Sequence, residues 1–297
     1  MTDSQSVGGQ IVKALAGYYY VDTGEAVYQC RARGIFKKDG VTPLAGDRVR
    51  IVVQDAEEGV VDEILPRKNA FIRPPVANID LFAVTVAAAA PETSLELTDR
   101  FLAMAEAAEA DACVCINKDD LSPAAAKRIE GVYQDIYPAV VLSAATGEGV
   151  GELRALVAGR SVAFAGASGV GKTSLIALLA DEGALKTGDV SARTGRGRHT
   201  TRHVEIFTLA DGTKIYDTPG FTSFEATVAA DLSDFSAAEL FPEFRGYLGA
   251  CRYRDCLHEN EPDCAVREAL ASGAVKRSRY ASYLKLLAEM KDAENNY

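Results

Sequence analysis

Gly166-Ala167-Ser168-Gly169-Val170-Gly171-Lys172-Thr173 stands between SVAFAG, an apolar run of strand character, and KTSLIALLA, a run of helix character. The stretch fits GxxxxGK followed by Ser or Thr, with a strand before it and a helix after it as that pattern requires. Glycines in such a loop let backbone N–H groups turn inward around a β-phosphate, and the helix N-terminus adds its positive dipole. Lys172 then reaches the β and γ oxygens, the Thr173 hydroxyl ligates Mg2+, and Ser174 is counted with them among the nucleotide-binding residues.

Outward from this loop, the chain from residue 69 alternates strand and helix patterns. LFAVTVAA, ACVCIN and AVVLSA read as buried parallel strands, while LELTDRFLAMAEAAEA, AAAKRIEGVYQDIY and VGELRALVAG read as helices. HVEIFTL and TKIYDTPG, joined by the turn Asp211-Gly212, form a strand pair. The expected fold of residues 69–226 is a doubly wound α/β sheet covered by helices on both faces. Residues 1–68 show about five short strands with Gly-containing turns and no helix-length periodic segment, which suits an OB-like β-barrel. Residues 227–297 are expected to form a separate helical domain built around a metal.

The base-reading element of a nucleotide site decides between ATP and GTP. Asn117-Lys118-Asp119-Asp120, at the end of ACVCIN, has the form NKxD. The Asp120 carboxylate can accept hydrogen bonds from guanine N1–H and the 2-amino group, a pair adenine does not offer, while Asn117 and the Lys118 stem hold the ring. Ser143-Ala144, after the next strand, would present a backbone N–H to guanine O6. Asp217 to Gly220 reads as the DxxG element that reaches Mg2+ through water and senses a γ-phosphate. In His199-Thr200-Thr201, a threonine, preferentially Thr201, can ligate Mg2+ when GTP is bound. An ordinary GTPase carries the phosphate loop first, so these motifs are circularly permuted. That order is tolerable because the site needs only their positions at one sheet edge. It also leaves the DxxG segment leading directly into the C-terminal region.

That region carries Cys251, Cys256, His258 and Cys264. Three thiolates and an imidazole are ligands that Zn2+ favours, and four protein ligands leave no open position, so the expected metal is one structural zinc. Cys113 and Cys115 lie in the apolar run DACVCIN and Cys30 in a strand-like stretch, and all three are expected to be core residues.

At 48% hydrophobic and 25% charged residues the 297-residue chain can bury substantial cores, and its net charge of −10 excludes a basic body of the kind that envelops nucleic acid. RNA contact is therefore expected at local patches: Arg193, Arg196, Arg198 and Arg202, or the KRSR run 276–279, whose alternative reading is a solvated face. The opening residues lack a signal-peptide pattern, and the longest apolar run, Leu81 to Ala90, is about half of the ~20 residues a membrane helix needs, so a cytoplasmic location is expected.

With NKDD at 117–120, GASGVGKTS at 166–174, RGRHTTR, DTPG at 217–220 and the Cys/His set in place, the sequence resembles the RsgA (YjeQ) family of small-ribosomal-subunit-dependent GTPases. The resemblance covers nearly the whole chain. It implies an OB-fold, a permuted GTPase domain and a zinc domain, and a monomer acting with GTP/GDP and rRNA late in assembly of the small subunit, which stimulates GTP turnover. The residue after DTPG, where many GTPases carry a water-orienting Gln, is Phe221, and an aromatic ring cannot orient water by hydrogen bonding. His199 is the candidate for that role, contact with RNA being its alternative. A second function class also stays open: a zinc-dependent RNA-binding module with a structural nucleotide.

Overall fold

A computed structural model of the chain describes residues 6–38, 40–71, 74–91, 94–182, 204–217, 232 and 234–295. The N-terminal strands are β1 (Ser6–Leu15), β2 (Tyr18–Asp22), β3 (Val27–Ala32), β4 (Arg48–Val53) and β5 (Glu58–Ile64). They run in the order β1-β2-β3-β5-β4, and β4 pairs again with β1, closing a barrel. Ile11, Val21, Cys30, Val49, Ile51 and Val61 fill it with no exposed surface. At about 1.5–3 kcal/mol for each large side chain, this alternating inward set is what stabilises so small a barrel. One turn of helix, α1 (Gly34–Lys38), interrupts the all-β pattern.

β6 (Ala70–Phe71) and β7 (Val76–Ala77) form a short pair before β8 (Leu81–Ala87), whose seven residues are all buried, as befits a strand covered on both faces. Next come α2 (Leu95–Ala107), β9 (Asp111–Asn117), α3 (Pro123–Tyr133), β10 (Ala139–Val141), α4 (Val150–Val157), β11 (Ser161–Ala165), α5 (Lys172–Glu182), β12 (Glu205–Thr208) and β13 (Lys214–Asp217). The alternation read from the sequence is thus present element by element. Pro123 starts α3 at the one turn where its missing N–H costs nothing. Beyond β13 lie a 3-10 turn (Pro242–Phe244), α6 (Ala265–Ser272) and α7 (Arg277–Asn295). Among the described residues no helix is long and apolar enough to cross a membrane.

The chain divides into two compact units: residues 1–81, 157–164 and 179–221, and residues 82–156, 165–178 and 222–297. In the first, β13 pairs with β11 in parallel and with β12 antiparallel, and β12 pairs with β1 at Glu205 opposite Lys13. In the second, β10 and β9 are parallel, β8 lies next to β9, and α2 and α3 pack on β9. α7 packs on α2. There one member of the KRSR run departs from both readings: Arg279 has no exposed surface and its guanidinium is held by two carboxylates, whereas Arg277 is exposed. Arg279 is neither a solvated side chain nor one open to RNA. Cys30, Cys113 and Cys115 are fully buried, in line with their apolar surroundings.

Candidate functional site

β9 delivers Asn117 to the carboxyl end of its strand, where the side chain is 2% exposed. Its Nδ2 donates to the Val170 carbonyl (2.8 Å), while Oδ1 accepts from the N–H groups of Lys118 (2.8 Å) and Ala144 (2.9 Å). One amide therefore ties the NKDD turn, the Ser143-Ala144 turn and the glycine-rich loop together. An aspartate could not do this, because the Val170 carbonyl requires a donor. Gly171 is required on the other side of that contact: its φ is +101°, and a Cβ there would lie 2.1 Å from Asn117 Nδ2.

Lys118 adopts φ 66° and its Nζ donates to the carbonyls of Ala90 and Gly169, laying its stem along the loop. Asp119 opens a 3-10 turn and its N–H donates to Leu142. Asp120 is exposed, and its Oδ1 accepts the Ser143 hydroxyl at 2.6 Å. The same oxygen of Ser143 accepts N–H groups of Ala145 and Thr146 at 3.2 Å. The sequence reading gave Ser143 no side-chain role. Its signal was a serine opening a turn, where the hydroxyl takes the N–H groups two and three residues on.

Lys172 begins α5, and its Nζ donates to the carbonyls of Gly166 and Ala167, both at 2.7 Å. Burial lowers its ammonium to about 8. Carbonyl oxygens are poor substitutes for an anion, so this lysine is poised to exchange them for phosphate oxygens. Thr173 and Ser174 are exposed in the first helical turn, Ser168 and Gly169 are exposed on the loop, and Val170 is buried beneath it. Unpaired N–H groups at a helix start make this a natural anion site. Asp217 ends β13 in the other unit and is exposed. His199, Thr200, Thr201, Gly220 and Phe221 lie outside the described residues, as do Arg193, Arg196, Arg198 and Arg202.

Cys251, Cys256, His258 and Cys264 converge so that their ligand atoms all lie within 4.8 Å of one another. Cys251 Sγ is 3.9 Å from Cys264 Sγ and 3.5 Å from His258 Nδ1, which is 3.4 Å from Cys264 Sγ. A tetrahedral zinc with bonds of ~2.3 Å to sulfur and ~2.0 Å to nitrogen requires edges of about 3.8 Å and 3.5 Å. The cluster therefore fits a metal ion of that size. Burial lowers the His258 pKa, which favours the neutral ring a metal needs. Its backbone is held from α7: Tyr280 donates to the carbonyl of His258 and Tyr283 to that of Leu257. Phe244 and Tyr283 pack against the His258 ring, and Phe241 and Tyr280 extend that group of rings.

Comparison with known proteins gives this geometry a family. The model of the RsgA GTPase matches residues 64–227, and that of the RsgA N-terminal domain matches residues 8–61. A protein named small ribosomal subunit biogenesis GTPase RsgA from Caldanaerobacter subterraneus is 44% identical over 98% of each chain. Its namesake from Geobacillus thermodenitrificans is 43% identical over 97% of this chain and 99% of its own. The crystal structure of YjeQ from Thermotoga maritima superposes with a TM-score of 0.81 at 31% identity, covering 96% of this chain and 99% of that one. That of YloQ, described as a circularly permuted GTPase, gives 0.77 at 34% identity over 98% of each. The fold is the one expected: a permuted α/β P-loop GTPase with an N-terminal OB-like barrel and a C-terminal helical region bearing a Cys3His cluster. By sequence over more than half its length and by structure over nearly all of it, the chain belongs to the RsgA GTPase family.

Proposed function

We propose that this protein hydrolyses GTP to GDP and phosphate while bound to the small (30S) ribosomal subunit, which stimulates turnover, and that it assists late maturation of that particle. The observation that carries the reading is the Asn117 amide, which joins a base-reading turn to a phosphate loop. The relatives named small ribosomal subunit biogenesis GTPase support the choice of particle. Asn117, Lys118, Asp119, Asp120, Ser143 and Ala144 hold guanine, and Gly166 to Ser174 hold the phosphates. Thr173 and Thr201 would ligate Mg2+, Asp217 would reach it through water, and Gly220 and Thr200 would complete the γ-phosphate contacts, the ion neutralising charge on the phosphates. Lys172 and Thr201 stabilise charge during transfer while His199 orients the attacking water.

Three domains carry these tasks: an OB-like barrel over residues 1–68, the GTPase domain over 69–226 and a zinc domain over 227–297. Zinc fits the Cys3His edges and would supply folding energy to a region of loops, not chemistry. The protein works as a cytoplasmic monomer in contact with rRNA.

Replacing Asp120 by Asn tests the site directly, because it exchanges an acceptor for a donor and acceptor. Competition binding should show preference moving from GTP toward XTP. An unchanged preference would remove Asp120 from the base contact. Affinity should also depend on pH through Lys172: bound phosphate raises its pKa from about 8, so binding takes up a proton where the free lysine is neutral. Affinity is therefore flat well below pH 8 and weakens above it.

A further inference from the structure

The barrel is joined to the strand that ends at Asp217 by buried and partly buried polar contacts that neither the phosphate loop nor the metal cluster uses. On β13, Lys214 and Tyr216 lie on the same face, two residues apart. The Tyr216 hydroxyl, buried with its ring 1% exposed, donates to the Ala77 carbonyl at 2.9 Å and lies 3.3 Å from that of Asn78. Lys214 Nζ donates to Oε1 of Gln10, a residue of β1. Gln10 in turn donates through Nε2 to the Gly46 carbonyl (3.0 Å), which also accepts from Asn78 Nδ2 (2.9 Å). At Gly46, whose φ is +96°, a Cβ would stand 2.0 Å from the Ala77 carbonyl oxygen and 2.5 Å from the Tyr216 hydroxyl. The other strand of the hairpin makes its own contact: β12, which follows RGRHTTR in the chain, pairs with the far half of β1 at Glu205 and Lys13.

β1 is thus shared. Its first half, Ser6–Gln10, pairs with β4 in the barrel, and its register shifts between Ile11 and Lys13 before the second half reaches β12. A displacement of the β12–β13 hairpin is therefore passed on to the barrel wall, because each link is a directional bond that is buried or partly buried. We propose that Lys214 and Tyr216 are positioning residues that couple the barrel to Asp217, so that what the barrel binds sets the placement of the Mg2+-side carboxylate. This rests on the role assigned to Asp217 above.

Hydrogen exchange of the full-length protein, read by mass spectrometry with GDP and with Mg2+ and a non-hydrolysable GTP analogue, tests it. In the wild type, peptides covering Ser6–Leu15 should differ severalfold in exchange between the two nucleotides. In Lys214→Met combined with Tyr216→Phe, the peptide covering the phosphate loop should keep its nucleotide-dependent protection while that of β1 loses it. Turnover should show the same split: kcat lower by about tenfold with KM for GTP unchanged, as expected for misplacement of a site residue. Gln10→Met and Lys214→Met should be non-additive in kcat, because they remove one link. A wild-type β1 indifferent to nucleotide while the phosphate loop responds would overturn the coupling. So would a variant in which KM rises as kcat falls. A phosphate loop that responds to neither nucleotide would instead remove the nucleotide site itself, and Tyr216→Phe alone serves if the double variant unfolds.

Discussion

Barrel and metal region are both held to the rest of the chain, but by opposite means. In the first unit the barrel meets β12 and β13 through a shared strand and neutral or singly charged bonds to amide oxygens. In the second, the most deeply buried polar contact of the C-terminal region with α2 is a charge cluster, and further ion pairs lie nearer the surface. Arg279 donates to Glu243 through Nε (2.7 Å) and Nη2 (3.0 Å) and to Asp99 through Nη1 (2.7 Å), with its guanidinium 4.6 Å from the centre of the Phe241 ring. Asp99 also accepts the Tyr133 hydroxyl at 2.8 Å. Burial pushes the Asp99 carboxyl above its ordinary range even with Arg279 against it, so dehydration outweighs the ion pair in setting its protonation. Bonds to backbone oxygens contribute about 1 kcal/mol each and depend on direction, so the first join transmits position. A buried ion cluster strands its charges when any partner leaves, so the second join holds fully or fails.

If that contrast is right, Arg279→Ala has the largest effect. It leaves Asp99 and part of Glu243 buried without a cation and should cost about 3–5 kcal/mol in urea unfolding. A loss below about 1 kcal/mol would mean that packing, not charge, makes the join. Replacing the cluster together (Arg279→Met, Asp99→Leu, Glu243→Leu) sharpens the point, since apolar substitution of the whole set should recover most of the loss.

The barrel join should respond more gently. Gly46→Ala forces a side chain into a left-handed conformation against the Ala77 backbone, and a loss of about 2 kcal/mol is expected in the same assay. Tyr216→Phe, which removes one hydroxyl, should cost about 1 kcal/mol. Losses as large as that of Arg279→Ala at either position would erase the contrast.

Smallest of all should be Lys285→Ala. Its ion pair with Glu96 joins α7 to α2 at the surface, with the lysine side chain 61% exposed, and is worth at most about 0.5 kcal/mol. Raising salt to about 1 M should cancel that difference and leave the Arg279→Ala loss nearly intact, because exposed pairs are screened and the buried cluster is not. Thermal melts of both variants at two salt concentrations separate the cases.

Short contiguous runs determined much about this protein. The glycine-rich loop, NKDD and the Cys/His spacing were legible because each packs its chemistry into a few neighbouring residues. Strand and helix order was legible because burial imposes periods of two and 3.6. The doubly wound sheet and barrel follow from those periods, and the permuted order of motifs can be read off directly. Tertiary structure alone decided which side chain of a run turns inward. KRSR reads as a solvated or RNA-facing run, yet Arg279 is buried because Asp99, 180 positions earlier, lies on the helix it packs against. Ser143 reads as a backbone donor until its hydroxyl is seen on Asp120, 23 positions away. The tyrosine of TKIYDTPG reads as strand filler until Ala77, 139 positions distant, offers its carbonyl. Local pattern records only how often a position meets water, whereas a buried charge or hydroxyl is stable only where a distant part of the chain brings a partner to it, and that meeting is fixed by the fold.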